Sequence, residues 1–476
     1  MPTQKQPTHR INQTDLGNAR RLVKLFGKDI RYCCGGAHWL VWDGVRWRED
    51  TTGEIERRAK TTVIRIYDEL SKIKSEDARK TLASWATKSE SKRAIKDMID
   101  LARTEPGIPI KPAELDANSY QLNCLNGTLN LRTGELYPHR REDFITKLAP
   151  VKYDPKARDQ IWEKVLNDAT GANTELHALM QRAFGYSITG DTREEVLFLI
   201  HGPAATSKST IIEAIKATLG DYAMTADFEA FVKRRDVGNP RNDIARLAGS
   251  RLVVSIEVDE GMRLAEGLIK MITGGDTVTA RKLYHESFEF KPAFTLVLVT
   301  NHAPKVNADD DAMWRRIHVI PMVCQVPKHL RNSKIKDHLT NPAIAGPAIL
   351  QWLLKGCLDW QRDGLKIPTV VQQATDEYRA SQDSFGEFIS DCCVLESDAW
   401  VSSEDLHDEY DAWLSERGEG WLNGDSLNEK QFAKKLRRFE SLPHKGTGGV
   451  RGWRGIRLKR DKPAFDTSTT NSDSVQ

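Results

Sequence analysis

Residues 195–219 read EVLFLIHGPAATSKSTIIEAIKATL, and this stretch decides the fold. An unbroken apolar run ends in a small-residue turn, after which Ile, Ala and Leu recur at helical spacing, so the segment reads as buried strand, tight loop and helix. A loop closing on Lys-Ser at a helix N-terminus is suited to cradling phosphate. Its backbone amides and the helix N-terminus wrap the anion, Lys208 reaches the β and γ phosphates, and the Ser209 hydroxyl serves Mg²⁺. The candidate nucleotide-binding residues are therefore Gly202, Pro203, Ala204, Ala205, Thr206, Ser207, Lys208, Ser209 and Thr210. One position departs from the pattern G-x-x-x-x-G-K-[ST], because Ser207 stands where the second glycine is expected. A Cβ there resists positive φ and close backbone approach, which predicts weakened phosphate binding if the loop keeps its usual shape. An ordinary strand-turn-helix has the same outline, so the neighbouring segments decide.

Downstream, RLVVSIEVDEG (251–261) is an apolar strand ending in Glu257, Asp259 and Glu260, carboxylates placed to hold a Mg²⁺ shell or polarise an attacking water. FTLVLVT ends at Asn301, whose amide would sense a γ-phosphate from the adjacent strand tip. Between them, residues 272–292 alternate basic and aromatic side chains, including Arg281, Lys282, Tyr284 and His285, in a hairpin suited to gripping phosphates and stacking bases. Arg315 and Arg316 precede another apolar strand, where an arginine at a subunit boundary would stabilise transferred phosphoryl charge. Strands alternating with helices from 195 to about 322 predict a three-layer α/β nucleotide-binding domain.

The remainder reads as follows. Residues 1–105 form a small α+β and helical region, opening with a helix after Thr14-Asp15 and two short strands around Asp43-Gly44. Trp39, Trp42 and Trp47 would stack bases or, as the plainer reading, build a mini-core. The prolines of 106–112 predict a linker that opens the region 106–180, followed by a β meander broken at Asn126-Gly127 and Thr133-Gly134 and a helical stretch over 159–187. The α/β domain is placed at 181–330 and a helical connector at 331–395. From 396 to 429 the chain carries eleven acidic residues and one basic, and from 430 to 460 eleven basic and one acidic. The segment 396–460 is thus one module with an acidic half and a basic half, and 461–476 a polar, disordered tail.

With 476 residues, the chain is too long for a disulfide-stapled miniature. Seventy basic against 67 acidic side chains exclude a whole-chain polycation. The polar start and the lack of any run near the roughly 18 apolar residues of a membrane helix predict a cytoplasmic protein without membrane contact. Seven cysteines without a CxxC predict reduced thiols and no bound metal of their own.

These pieces, in this order, resemble the superfamily 3 helicases, in particular the helicase half of phage, plasmid and poxvirus primase-helicases. The block covers about residues 185–325: TGDTREEVLFLIHGP with SKST resembles Walker A, RLVVSIEVDEG Walker B, LIKMITGGDTVTARKLYHESFEFKP the DNA-contacting B′ segment, TLVLVTNHAP motif C, and DDAMWRRIHVIPM the arginine-finger segment. The residues from LDANSYQ to VKYDP are similar to the family's preamble and the C-terminal part to its winged-helix module.

The resemblance implies an α/β fold with a P-loop ATPase domain of AAA+ type, a small α+β N-terminal region and a C-terminal winged-helix-like module. It implies ATP and Mg²⁺ as cofactors, with Lys208, Glu257 and Asn301 as catalytic residues and Arg316, before Arg315, acting in trans. Ser209 and Glu257 would hold Mg²⁺ through the nucleotide, and Arg281, Lys282, Tyr284 and His285 would contact DNA. The function implied is an ATP-dependent, ring-forming DNA helicase that translocates on single-stranded DNA in replication of a phage, plasmid or integrated element. Its partners would be single-stranded or forked DNA, further copies of the chain in a hexamer, and a separate primase or other replication proteins. Priming by the chain itself is not expected, since the region before residue 106 shows no strand-borne acidic pair for two-metal chemistry. The competing reading, motivated by Ser207 and the basic 430–460 segment, is a nucleotide-binding replication initiator that hydrolyses weakly.

Overall fold

The apolar runs of the central region form five strands: β1 (Leu197–His201), β2 (Ala223–Thr225), β3 (Leu252–Ile256), β4 (Thr295–Thr300) and β5 (Ile317–Pro321). They pair in the order β5-β1-β4-β3-β2, and every pairing is parallel. A parallel sheet covered on both faces needs continuous apolar strands, and Leu197, Phe198, Leu199, Leu252, Val253, Leu296 and Leu298 are all buried. The sequence reading missed β2, because its three residues, two half-buried and Thr225 exposed, carry no apolar run; pairing with β3, Ala223 against Leu252, makes it a strand. The computed structural model describes residues 12–233, 242–256, 261–281, 287–417 and 427–459.

The chain divides into two units, residues 1–306 with 310–376, and residues 307–309 with 377–476. In the first, the core beneath the sheet is shared by segments far apart in sequence: Leu122 and Leu129 of the meander, Trp162 and Leu179 of two helices, and Ile349, Leu353 and Trp360 of the helix Gly346–Asp363. That helix lies inside the expected connector 331–395, yet it is a core element. Its apolar residues at 349, 350, 353, 354, 357 and 360 form a stripe that requires burial. It crosses the helix Thr174–Ser187 at glycines: a Cβ on Gly356 would stand 1.8 Å from the Gln181 carbonyl oxygen, and one on Gly185 2.1 Å from the Cys357 nitrogen.

The meander forms from Gln121–Cys124, Gly127–Asn130 and Leu136–Tyr137. Arg251, buried at the start of β3, ties it to the sheet by donating to the carbonyls of Ile188 at 2.8 Å and Gln121 at 2.7 Å, with its guanidinium 4.5 Å from the Tyr222 ring centre. In the N-terminal region the expected linker is instead part of a sheet. Pro109–Ile110 pairs in parallel with Ile30–Cys33, and the Tyr32 amide donates to Ile108 O at 2.9 Å. Proline is tolerated because this is an edge strand, and the buried Ile108 and Ile110 draw it in. Trp39, Trp42 and Trp47 are buried in the cores of this region, so the mini-core reading holds and base stacking by them does not.

The second unit runs helix Ser384–Cys392, strand Cys393–Ser402, helix Ser403–Glu416, helix Glu429–Leu436, then strands Leu442–Lys445 and Arg451–Leu458. The three strands are antiparallel with Arg451–Leu458 in the middle, over a core of Phe385, Phe388, Tyr410, Trp413 and Phe432. The unit thus takes in residues the sequence reading gave to the connector, because Phe385 and Phe388 pack into one core with Tyr410 and Trp413 of the acidic half and Phe432 of the basic half.

Candidate nucleotide-binding site

The loop after β1 lies at the carboxyl edge of the sheet, where β1 is flanked by β4 and β5. Strand order reverses between these neighbours, and such a crevice is where open α/β sheets bind ligands. Gly202 leaves the strand at φ 151°, and a Cβ there would stand 2.1 Å from the Met322 carbonyl oxygen, so the close approach of β5's end demands glycine. The following segment clamps the loop from outside: Gln325 Nε2 donates to Ala204 O at 3.0 Å and the Val326 amide to Ala205 O at 2.8 Å. Sequence reasoning did not find Gln325, because its contact with a loop 121 positions away arises only from the pairing of β1 with β5.

Ser207 adopts φ 65° and ψ 7°, the left-handed conformation that its Cβ was expected to resist. The loop therefore takes its turn at Ser207 and accepts the strain, worth about 1–2 kcal/mol for a non-glycine residue. The helix Lys208–Leu219 starts immediately afterwards, fixed by the buried Ile211, Ile212 and Ile215, and places the Ser209 side chain at its exposed N-terminal turn. Lys208 is buried. Its Nζ donates to the carbonyls of Gly202 and Pro203, each at 2.7 Å, and to Thr206 Oγ1 at 3.1 Å. Burial holds this ammonium below the usual lysine range.

The register sets the neighbours of the loop. Thr300 pairs with His201 and Val299 with Ile256, so Asn301, one residue beyond β4, stands between the tips of β1 and β3. Asn301 is exposed, and its backbone accepts a hydrogen bond from the His201 ring. His201 is lowered by burial, with Lys208 and His302 adding to the effect and the bond to Asn301 opposing it. Glu257, Asp259 and Glu260, which follow β3 in the sequence, lie outside the described residues.

Arg315 and Arg316 lie at the opposite edge, since Ile317 opens β5 beside Leu197, the first residue of β1. Their surroundings differ sharply. Arg316 is buried and donates to Thr273 Oγ1 at 3.1 Å, Ala312 O at 2.5 Å and Glu195 Oε2 at 2.7 Å. Arg315, with 63% of its side chain exposed, meets the same Glu195 oxygen at 2.9 Å. Glu195 was not singled out from the sequence, where it reads as a surface residue ahead of a strand. Arg281 is exposed at the end of the hairpin strand Val278–Arg281, paired with Ser287, whereas Lys282, Tyr284 and His285 lie outside the described residues.

In the second unit, Lys430, Lys434, Arg437, Lys445 and Arg451 are exposed. Part of the basic half is engaged with the acidic half, Arg457 with Glu396 at 3.1 Å and Arg454 with Asp398 at 3.2 Å. Among the described residues no helix is long and apolar enough to cross a membrane.

Comparison with known proteins agrees with this architecture. Residues 19–171 match the family described as D5 N terminal like, and residues 200–316 match a family described only as of unknown function. The chain is 28% identical over 319 residues to "Putative helicase L207/L206" of Acanthamoeba polyphaga mimivirus, covering 63% of this chain and 33% of that protein. It is also 23% identical over 314 residues to "Primase D5" of Fowlpox virus, covering 63% of this chain and 37% of the relative. Over parts of its length the chain is thus similar to proteins named as putative helicase and as primase, in line with the resemblance to primase-helicases of superfamily 3 type. The chain is likewise 24% identical over 249 residues to "Putative helicase 022R" of Frog virus 3, covering 48% of this chain and 25% of the relative. The chain thus spans about a third or less of the length of the mimivirus and Frog virus 3 relatives. The apo structure of the NrS-1 C-terminal region shares the fold, with a TM-score of 0.50 at 11% identity over 92% of this chain and 99% of that one.

Proposed function

We propose that this chain is a primase-helicase of superfamily 3 type, an ATP-driven DNA helicase motor that assembles into a ring and moves along single-stranded DNA during replication of a phage, plasmid or other mobile replicon. The observation that carries this reading is the meeting of Lys208, Ser209 and Asn301 at adjacent strand tips, where the order of the parallel sheet reverses. The sheet order and the loop support an AAA+-type ATPase domain.

The residues fit ATP with Mg²⁺. Gly202 keeps the loop tight against Met322, the helix Lys208–Leu219 turns its N-terminus to the loop, and Ser209 is exposed for a cation. On binding, Lys208 would exchange its bonds to Gly202 O, Pro203 O and Thr206 Oγ1 for phosphate oxygens, so a charge already desolvated is redirected at little reorganisation cost. Mg²⁺ would neutralise charge developing on the phosphates, with Ser209 and Glu257 holding it and Asp259 or Glu260 assisting. Asn301 would orient the attacking water or sense the terminal phosphate. The trans-acting arginine is better assigned to Arg315 than to Arg316, since Arg316 is buried and fully engaged within its own chain. Because Arg315 sits at the edge opposite Lys208, its action would require a second copy, as a hexameric ring supplies.

DNA contact is assigned to Arg281, Lys282, Tyr284 and His285 and to the second unit, whose helix-strand-helix-helix-strand-strand order suits a winged-helix-like module with Glu429–Leu436 in the groove-facing place. Forked or single-stranded DNA, further copies of the chain and a separate primase are the proposed partners. The test is ATP hydrolysis with and without single-stranded DNA. Stimulation that vanishes in Lys208→Ala supports the motor, and unchanged hydrolysis in that variant overturns the site. The second reading, a weakly hydrolysing initiator, draws on the strained Ser207; wild type silent with Ser207→Gly active would select it.

A further inference from the structure

The turn that leads into β1, residues 191–195, is anchored by its own side chains. Asp191 Oδ2 accepts from Tyr120 Oη at 3.2 Å and from Arg193 Nε at 2.8 Å, and Glu194 Oε1 accepts from Nε1 of the buried Trp360 at 2.7 Å. Glu195 closes the turn. Its amide donates to Thr192 O at 3.0 Å, and its backbone takes φ 52°. A residue with a side chain holds this left-handed conformation only where its surroundings over-determine it, and such positions gather at functional sites. The anchored turn therefore sets where the Glu195 side chain begins.

The carboxylate at its end is fixed as well. Arg316, with 8% of its side chain exposed, donates Nη2 to Glu195 Oε2 at 2.7 Å, while Thr273 Oγ1 holds its Nε and Ala312 O its Nη1. With all three of its nitrogens engaged, this guanidinium locks the oxygen it meets. The same oxygen accepts from Arg315 Nη2 at 2.9 Å. That is the one side-chain hydrogen bond of Arg315 among the described residues, and 63% of the side chain is exposed. A buried arginine thus fixes the carboxylate, and the carboxylate holds the exposed arginine by one nitrogen. Nε and Nη1 of Arg315 stay unspent. A long, flexible cation is in this way oriented before its target arrives, with donors left over for that target.

We propose that Glu195 is a positioning residue that presents Arg315 to the triphosphate bound by a second copy of the chain. The assignment rests on the motor reading above, in which Arg315 acts in trans, and adds the residue that sets its place. Glu195 touches no nucleotide itself. Without it Arg315 keeps its charge but loses its orientation, so the loss falls on kcat, where developing phosphoryl charge is stabilised, and not on KM.

The test is steady-state ATP hydrolysis, with single-stranded DNA, by mixtures of two variants of the full chain. Lys208→Ala lends its arginine and hydrolyses nothing, whereas Arg315→Ala hydrolyses only with a borrowed arginine. Activity of the mixture therefore reports one kind of interface. Glu195→Ala added to the lending copy should lower kcat of the mixture about fivefold, the most that an exposed ion pair confers, with KM within about twofold. Added to the receiving copy, whose own Arg315 is gone, it should lower kcat by less than about 1.5-fold. A merely structural role through Arg316 would act equally in both placements. Glu195→Gln in the lending copy should regain part of the lost rate, because its amide oxygen still accepts from both arginines. Equal loss in both placements, or no loss in the lending copy, overturns the assignment of Glu195 while the activity of the mixture keeps Arg315 in trans. A mixture as silent as its components, with assembly intact by light scattering, overturns the trans reading and this assignment with it.

Discussion

Lys208 donates a 2.7 Å hydrogen bond to the carbonyl of Gly202, the glycine that opens its own loop. With Pro203 O and Thr206 Oγ1 completing its three donors, the lysine places its charge at the centre of the loop and pins both ends together. Removing it therefore has two separable effects. Lys208→Ala should abolish ATP hydrolysis, because Lys208 is the cation that the loop itself carries. It should also destabilise the fold by about 1–3 kcal/mol, since the buried Gly202 carbonyl loses its donor. Lys208→Arg should restore part of the stability without the activity, because a planar fork cannot reproduce three converging ammonium bonds. Hydrolysis assays beside urea melts of the three proteins check both effects, and activity retained in Lys208→Ala would remove the lysine from the chemistry.

Ser207 provides a cleaner test of strain. At φ 65° its Cβ occupies backbone space that glycine enters freely. Ser207→Gly should raise stability by up to about 1 kcal/mol, the relief of left-handed strain less the entropy glycine adds to the unfolded chain. If the loop geometry already suffices for catalysis, kcat should change less than about threefold, a difference of under 1 kcal/mol in the barrier. A rise of orders of magnitude would instead identify Ser207 as a brake.

Arg315 and Arg316 share Glu195 but should respond differently. Arg316→Ala removes bonds from a buried guanidinium to three partners and should cost about 2–3 kcal/mol of stability. Arg315→Ala loses only a surface ion pair, worth at most about 1 kcal/mol. If Arg315 acts on a neighbour's nucleotide, Arg315→Ala should melt like wild type and hydrolyse poorly. Mixing it with Lys208→Ala should then regain activity at mixed interfaces, where each copy supplies what the other lacks. No recovery on mixing, with intact assembly by light scattering, would count against action in trans.

How much of this was legible in the sequence follows from what each element depends on. The strands β1, β3, β4 and β5 are apolar runs that fold the same way wherever they stand, so the runs alone marked them. β2 exists only because β3 pairs with it, and Pro109–Ile110 is a strand only because Ile30–Cys33 lies alongside. Partner-dependent elements have no local signature. The same holds at the site. Lys208, Ser209 and Asn301 announce themselves by position after a strand, whereas Gln325 and Glu195 act through contacts made by the β1–β5 pairing and by the turn before β1. The choice between Arg315 and Arg316 was also beyond the sequence, because adjacent residues share a motif and burial separates them.

His318 carries the pH dependence of the core. It lies in β5 opposite Phe198, ring centres 6.0 Å apart, and burial lowers its pKa to about 4. Unfolding returns it toward the ordinary value near 6.5, so the unfolded chain binds the proton more tightly than the folded one. Stability from this residue is therefore complete above about pH 6.5 and is lost as the pH falls toward 4, with roughly 2 kcal/mol gone between pH 8 and pH 5. His177 and His201 are also lowered by burial and add to the same slope, so the wild-type loss should exceed the share of His318 alone. His318→Phe keeps an aromatic ring against Phe198 and cannot take up a proton. Urea midpoints at pH 8 and pH 5 should differ clearly less in this variant than in wild type, with the gap narrowing at the acid end. An identical acid loss in both proteins would show that His318 is not the group whose protonation loosens the sheet.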